Sequence, residues 1–384
     1  MFSNWLRAAS APLLLALTVM SSSHISATPE KTHQSYILYV GNYGKGVYAY
    51  RYHPGSTKLE PLNMVGEVVN PSFLATDPDY RYLYAASEVD GHQDGAIAAF
   101  AINRTTGALT ALNSRSSEGL APCHLVVDHT GKMLMAANYT SGSVPVYPLE
   151  HDGKLGAISG LMKASGTGPN AKRQEGPHAH QTVLSADNRF VYVPDLGLDE
   201  IRIYRLDPAH AKLTPAEPPF VKSEPGSGPR HIVLSHDGKF AYVIHELKPE
   251  VGVFSRDAAT GKLTRVQTVS SVPEGFTGHS DPAEILLDKS GKFVYASNRT
   301  AGTIAVFAVN ASDGTLKQVQ VVDAPGKSPR GIEFDPTGHL LFVGDQRGNR
   351  FVIYTIDAKT GQLTATGDGY DMPSPVAFQF VPAK

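Results

Sequence analysis

The chain has 384 residues and a formal net charge of −2 at pH 7. That balance excludes a surface built to neutralise nucleic-acid phosphates or an anionic bilayer, since both demand a basic excess. The single cysteine, Cys123, excludes an internal disulfide, and a chain of this size does not need one to hold together.

At the N-terminus, Arg7 precedes an apolar run from Ala11 to Met20, and a small-residue stretch ends at Ile25-Ser26-Ala27. This pattern reads as a secretory signal peptide over residues 1–27, cleaved near Ala27. The run is too short to cross a bilayer as a helix. The expectation is a periplasmic or secreted protein with no membrane association after signal removal, folded over residues 28–384 as one domain.

Beyond the signal, a turn signature recurs: Asp77-Pro78-Asp79, Asp128-His129-Thr130-Gly131, Ser185-Ala186-Asp187, Ser235-His236-Asp237-Gly238, Asp288-Lys289-Ser290-Gly291 and Asp335-Pro336-Thr337-Gly338. The first residues are 51, 57, 50, 53 and 47 positions apart. A period near fifty marks a propeller array. Each period holds four short β-rich runs, as in Glu284–Leu287, Phe293–Ser297, Thr303–Phe307 and the run opened by Gly314-Thr315-Leu316. Bounded by Gly, Asp and Asn, such runs read as antiparallel strands joined by hairpins.

The two ends complete the count. Residues 36–40, 46–50 and 59–62 match the second, third and fourth strands of a blade, and residues 376–381 match a first strand. The predicted fold is all-β: a seven-bladed β-propeller of four-stranded antiparallel blades. Pairing the terminal strands in one shared blade closes the ring and hides its open edges.

This topology turns sequence position into spatial position. The segments before strand one and after strand two of every blade converge on one face, around the mouth of the central channel. Before strand one stand Pro71-Ser72, Pro122-Cys123-His124, Pro177-His178-Ala179-His180, Pro229-Arg230-His231, Pro282-Ala283-Glu284 and Pro329-Arg330-Gly331. After strand two come Asn42, Glu88, Asn138, Asp195, Glu246, Asn298-Arg299 and Asp345-Gln346. A turn requirement explains the prolines but not the histidines, arginines and glutamate beside them. Polar groups converging on a concave mouth indicate a binding site.

Those segments, with Arg173-Gln174, Ala137-Asn138-Tyr139, Asp195-Leu196-Gly197-Leu198-Asp199 and Gly228-Pro229-Arg230-His231, resemble the seven-bladed lactonase family. It includes bacterial 6-phosphogluconolactonase and the fungal carboxy-cis,cis-muconate cyclase. The resemblance runs over the whole chain after the signal, and it implies opening, or the reverse closure, of a small-molecule lactone ring. It further implies catalytic roles for a His, two Arg and a Glu, matched here by His178 or His180, Arg230, Arg299 and Glu246. The remaining mouth residues, His124, Asn138, Arg173, Asp195, His231, Glu284, Arg330 and Gln346, are candidates for substrate binding. The resemblance leaves open a muconate-type cycloisomerase, and a non-catalytic propeller that binds a partner is the other alternative.

Lactone hydrolysis needs a base for water, donors for the developing oxyanion and a grip on the substrate. A histidine suits the first task, with Glu246 orienting it or replacing it, and planar guanidinium groups suit the others. If residues 178–180 are extended, both imidazoles face the channel. No cofactor is expected, and no metal: His178 and His180 with Glu246 or His124 make a weak ligand set. A Cys123 thiol nucleophile paired with His124 is disfavoured by strand alternation, which turns neighbours to opposite sides. Asp345 adds a negative charge near the mouth, where the family often has Asn. The segment from Gly166 to Arg173 either covers the mouth or hangs as a loop.

Overall fold

A computed structural model describes residues 34–91, 93–326 and 328–384. The signal-peptide expectation falls on residues 1–33, outside the described residues.

The recurring turn residues start the second strand of each blade. The Oδ1 of Asp288 accepts the backbone N–H groups of Lys292 and Phe293, both at 2.8 Å. Asp77, Asp128 and Asp335 repeat the arrangement, and the Ser185 and Ser235 hydroxyls replace it in two blades. A short side-chain acceptor that satisfies two turn donors fixes where the chain reverses.

All regular structure among the described residues is strand, arranged as seven four-stranded antiparallel sheets. Six sheets are continuous in sequence, such as Pro282–Leu287, Phe293–Asn298, Thr303–Val309 and Leu316–Asp323. The seventh joins Pro375–Pro382 to Tyr36–Asn42, Gly46–Tyr52 and Glu60–Glu67. Val40 pairs with Phe378 and Tyr36 with Pro382, so the terminal strands close the ring as the sequence predicts.

The core lies between blades. Second strands are buried on both faces, and alternate residues pack into opposite seams. Tyr39 joins Leu83 and Ala85 on one side, while Leu38 and Val40 join Phe342 and Phe351 on the other. Seven such clusters fill the seven seams. Outer strands alternate or face water.

A repeated hydrogen bond ties each seam. The hydroxyls of Tyr39, Tyr84, Tyr192 and Tyr295 donate to the carbonyls of Gly107, Gly153, Gly261 and Gly361, each in the hairpin of the next blade, at 2.7–3.0 Å. The hairpin glycine is required: Gly361 has φ +71°, and a Cβ there would lie 2.4 Å from the Phe293 ring. Tyr242 occupies the same strand position, but its buried hydroxyl has no hydrogen-bond partner among the described residues.

Candidate active site

Two backbone features decide which side chains reach the mouth. The first is a β-bulge at the start of the inner strands. Pairing shifts register between Pro71 and Phe73, Pro122 and His124, Pro229 and His231, Pro282 and Ile285, and Pro329 and Gly331. A bulge sets two residues against one and breaks strict alternation. The residue after the proline, as in Cys123 and Arg330, then lies at the mouth, with Arg230 just beneath it. The next, as in Phe73, His124, His231 and Glu284, lies in the layer below. Cys123 and His124 therefore both face the channel, contrary to the alternation argument, which assumed an unbroken strand.

The second feature is the exit from strand two. Its last residue turns into the sheet, and the following one faces the mouth. Asn138 is fully buried and donates to Ser117 O at 2.9 Å. Asp195 Oδ1 accepts His178 N at 2.7 Å and Leu198 N at 3.2 Å. Asp345, also buried, accepts Ser328 N at 2.9 Å. These three hold loops together and do not line the mouth. Tyr43, Glu88, Tyr139, Glu246 and Arg299 stand one position later and do.

The mouth pocket has a volume of about 200 Å³ and is bounded by those five with Cys123, Arg173, His180 and Arg330. Glu246 is its organising group. Arg173 Nη2 bonds its Oε1, while Arg230 Nε and Arg299 Nη2 reach Oε2 at 2.9 and 2.7 Å. Burial pushes this carboxyl up, but the Arg299, Arg230 and Arg173 guanidinium groups outweigh it and hold Glu246 at about 2. Arg230 lies beneath the pocket, with Nη1 donating to Ala283 O at 2.6 Å. Burial and the nearby Arg330 and Arg299 bring it down to about 10, still cationic at neutral pH.

Arg330 differs from the other three. Among the described residues its guanidinium makes no hydrogen bond or ion pair, and it rests 5.4 Å over the Tyr43 ring. Its donors are free for an anion. His180 is buried, and burial followed by the charges of Arg230, His231 and Arg330 drives its pKa well below 6.5. Its imidazole is neutral at physiological pH. Its Nε2 is 4.0 Å from Glu246, beyond hydrogen-bond range.

The other predicted residues lie around this pocket in different roles. His178 stacks on Tyr139 at 4.7 Å and donates from Nδ1 to the Tyr139 carbonyl at 3.0 Å, so it backs the pocket wall. His124, His231 and Glu284 form the layer below, where His231 Nδ1 meets Glu284 Oε1 at 2.6 Å. Burial pushes Glu284 up to about 7 and both imidazoles down, so with the His231 ring neutral this contact is a hydrogen bond and not an ion pair. Gln346 lies off the pocket, where its backbone carbonyl accepts the Ser374 hydroxyl. Arg173 reaches in from the long segment, which Gln174 anchors: its Nε2 donates to Leu196 O and Asp199 Oδ1, both at 2.8 Å. Among the described residues no group of three or more His, Cys, Asp or Glu is placed to hold a metal ion.

The sequence places Glu88 and Cys123 at the mouth without assigning either a role in the site, carries Tyr139 only within a family motif, and gives no sign of Tyr43. The signal was present in part: Glu88 and Tyr139 occupy the same strand-two exit that pointed to Glu246.

Comparison with known proteins agrees with this geometry. Residues 37–380 match the family described as Lactonase, 7-bladed beta-propeller. The chain is 34 % identical to 6-phosphogluconolactonase of Bacillus subtilis strain 168 over 357 residues, covering 90 % of this chain and 98 % of that one. A putative 6-phosphogluconolactonase from Bacteroides fragilis superposes with a TM-score of 0.86 at 34 % identity, covering 92 % of this chain and 100 % of its own. The periplasmic gluconolactonase of Pseudomonas aeruginosa also gives 0.86, at 31 % identity over 91 % of this chain and 100 % of its own. The chain belongs to the seven-bladed β-propeller lactonases, carboxylic-ester hydrolases that act on lactones.

Proposed function

We propose that this chain is an exported lactonase that opens the ring ester of a sugar-type lactone, of the 6-phosphogluconolactone or gluconolactone kind. One observation carries the reading: three guanidinium groups line a pocket of about 200 Å³ with a fourth, Arg230, beneath it, and among the described residues Arg330 makes no hydrogen bond or ion pair. An aldonolactone is neutral until its carbonyl is attacked, when negative charge gathers on that oxygen and then on the product carboxylate. Preorganised guanidinium donors stabilise that charge more than they stabilise the ground state. The N–H groups of Arg299 and Arg173 not engaged with Glu246 face the carbonyl oxygen. Arg330 takes the substrate's own anionic group or the carboxylate formed. Glu246 holds three cations in one place that would otherwise repel one another.

Export is supported by the signal-like residues 1–27 and by the similarity to the periplasmic gluconolactonase of Pseudomonas aeruginosa. An exported enzyme meets non-phosphorylated lactones more readily than intermediates of cytoplasmic sugar metabolism, which favours the gluconolactone type.

The test is turnover of a panel of sugar and aliphatic lactones by the purified protein, with and without chelator. Measurement at mildly acid pH keeps spontaneous opening slow. Turnover that survives chelation and falls in Arg299→Ala supports the reading, and no lactone opened above the spontaneous rate refutes it.

A further inference from the structure

Opening a lactone at neutral pH requires a base that takes a proton from water. The acid–base residues suggested by sequence are badly placed for it. Both oxygens of Glu246 are occupied by guanidinium groups. The imidazole of His180 lies too far from Glu246 to be oriented by it.

A second carboxylate lines the same pocket and is clamped by no guanidinium. Glu88 follows the strand Tyr82–Ser87, and two sheets separate its own from the one bearing Glu246. Among the described residues its side chain takes one hydrogen bond, from the Tyr43 hydroxyl to Oε2 at 2.9 Å. Oε1 accepts no hydrogen bond among the described residues, and the side chain lines the pocket. The backbone is fixed from both sides by Asn70, which accepts from Glu88 N and donates to Glu88 O, each at 3.1 Å. Tyr43 is itself held beneath Arg330. The charged and titratable groups facing Glu88 are Tyr43, Cys123 and Arg330, with the Glu246 cluster beyond.

We propose that Glu88 is the general base of the lactonase reaction and that Tyr43 is the residue that positions it. This assignment rests on the lactonase reading above. Glu88 removes a proton from a water molecule whose oxygen adds to the lactone carbonyl carbon. The carbonyl electron pair moves to its oxygen, facing the guanidinium groups. As that pair returns, the bond from carbon to ring oxygen breaks, and the proton held by Glu88 passes to the departing alkoxide. The product is the open hydroxy acid, which loses its carboxyl proton to solvent, and Glu88 is again ionised.

The test compares wild type with Glu88→Gln and Tyr43→Phe in steady-state kinetics across pH. Gln keeps an acceptor for Tyr43 but cannot take the proton. Expected are a fall in kcat of about 100-fold or more in Glu88→Gln with KM within about threefold, and loss of the acidic limb of the pH profile. Tyr43→Phe removes the hydrogen bond that orients Glu88, so its kcat falls about 10-fold with KM within about threefold, and an unchanged kcat overturns the positioning role of Tyr43. Should Glu88→Gln fail to fold, Glu88→Asp takes its place, with a reduced kcat and a retained acidic limb expected. Wild-type turnover with an unchanged kcat in the Glu88 variant overturns the assignment alone. Absence of wild-type turnover removes the lactonase reading and the assignment together.

Discussion

Replacing Glu246 with Gln tests the charge arrangement of the mouth. Gln has the shape of the protonated carboxyl, so the substitution isolates the negative charge. A carboxyl held at about 2 in the folded chain against an ordinary glutamate value of 4.5 contributes about 3 kcal/mol of stability at neutral pH. Its side chain is 6 % exposed, so solvent screening takes little away. The sign follows from the depressed value: the contribution is fully present above the unfolded pKa and is lost as pH falls through the folded one. The gap between wild type and Glu246→Gln should be about 3 kcal/mol at pH 7 and about half that at pH 3. Urea unfolding of both proteins at several pH values measures it. A gap below about 0.5 kcal/mol at pH 7, or one that does not shrink in acid, would refute the claim that three guanidinium groups are held by this charge.

Other substitutions test separate features. Arg330→Ala should raise KM for an anionic lactone about 10- to 100-fold, the worth of a charge-assisted hydrogen bond. It should cost less than about 1 kcal/mol of stability by denaturant titration, because among the described residues Arg330 makes no hydrogen bond or ion pair and loses its contact with Tyr43 and a longer-range attraction to Glu88 and Glu246. Tyr295→Phe removes the 2.7 Å bond to Gly361 O and should cost about 1–2 kcal/mol, whereas Tyr242→Phe removes an unpartnered hydroxyl and should be neutral or slightly stabilising. Gly361→Ala combines left-handed strain with a clash against Phe293 and should lose at least about 2 kcal/mol in the same titration.

The architecture was legible because each blade repeats its own chemistry. Asp77, Asp128, Asp288 and Asp335 are visible in sequence, and each satisfies the same two turn donors. The site was legible to within one residue. Asn138 and Asp195 were chosen at the strand-two exit, but the side chain that reaches the mouth is the next one, as Tyr139 illustrates. Strand alternation fixes relative facing and not its absolute phase, and a polar residue turned into the sheet looks the same in sequence as one turned to a pocket. The bulge at Pro122 is invisible for a related reason: it changes pairing, not composition. It hid the placement of Cys123 and His124 on one side of the channel.

Closure of the ring has a consequence for how the chain is made. Gln34 Nε2 donates to Ala383 O, 349 positions away, and the strand Tyr36–Asn42 has its inner partner only in Pro375–Pro382. During synthesis the first three strands of the shared blade emerge long before that partner, and at about 5–20 residues per second the wait is roughly 20–70 s. Throughout that interval the edge of Tyr36–Asn42 is open to any passing strand. The last step of folding is a long-range closure, and such contacts form slowly. A nascent chain that stops before Pro375 would carry six finished blades and a seventh without its inner strand, so Pro375–Pro382 works as a latch set only once that strand has been made.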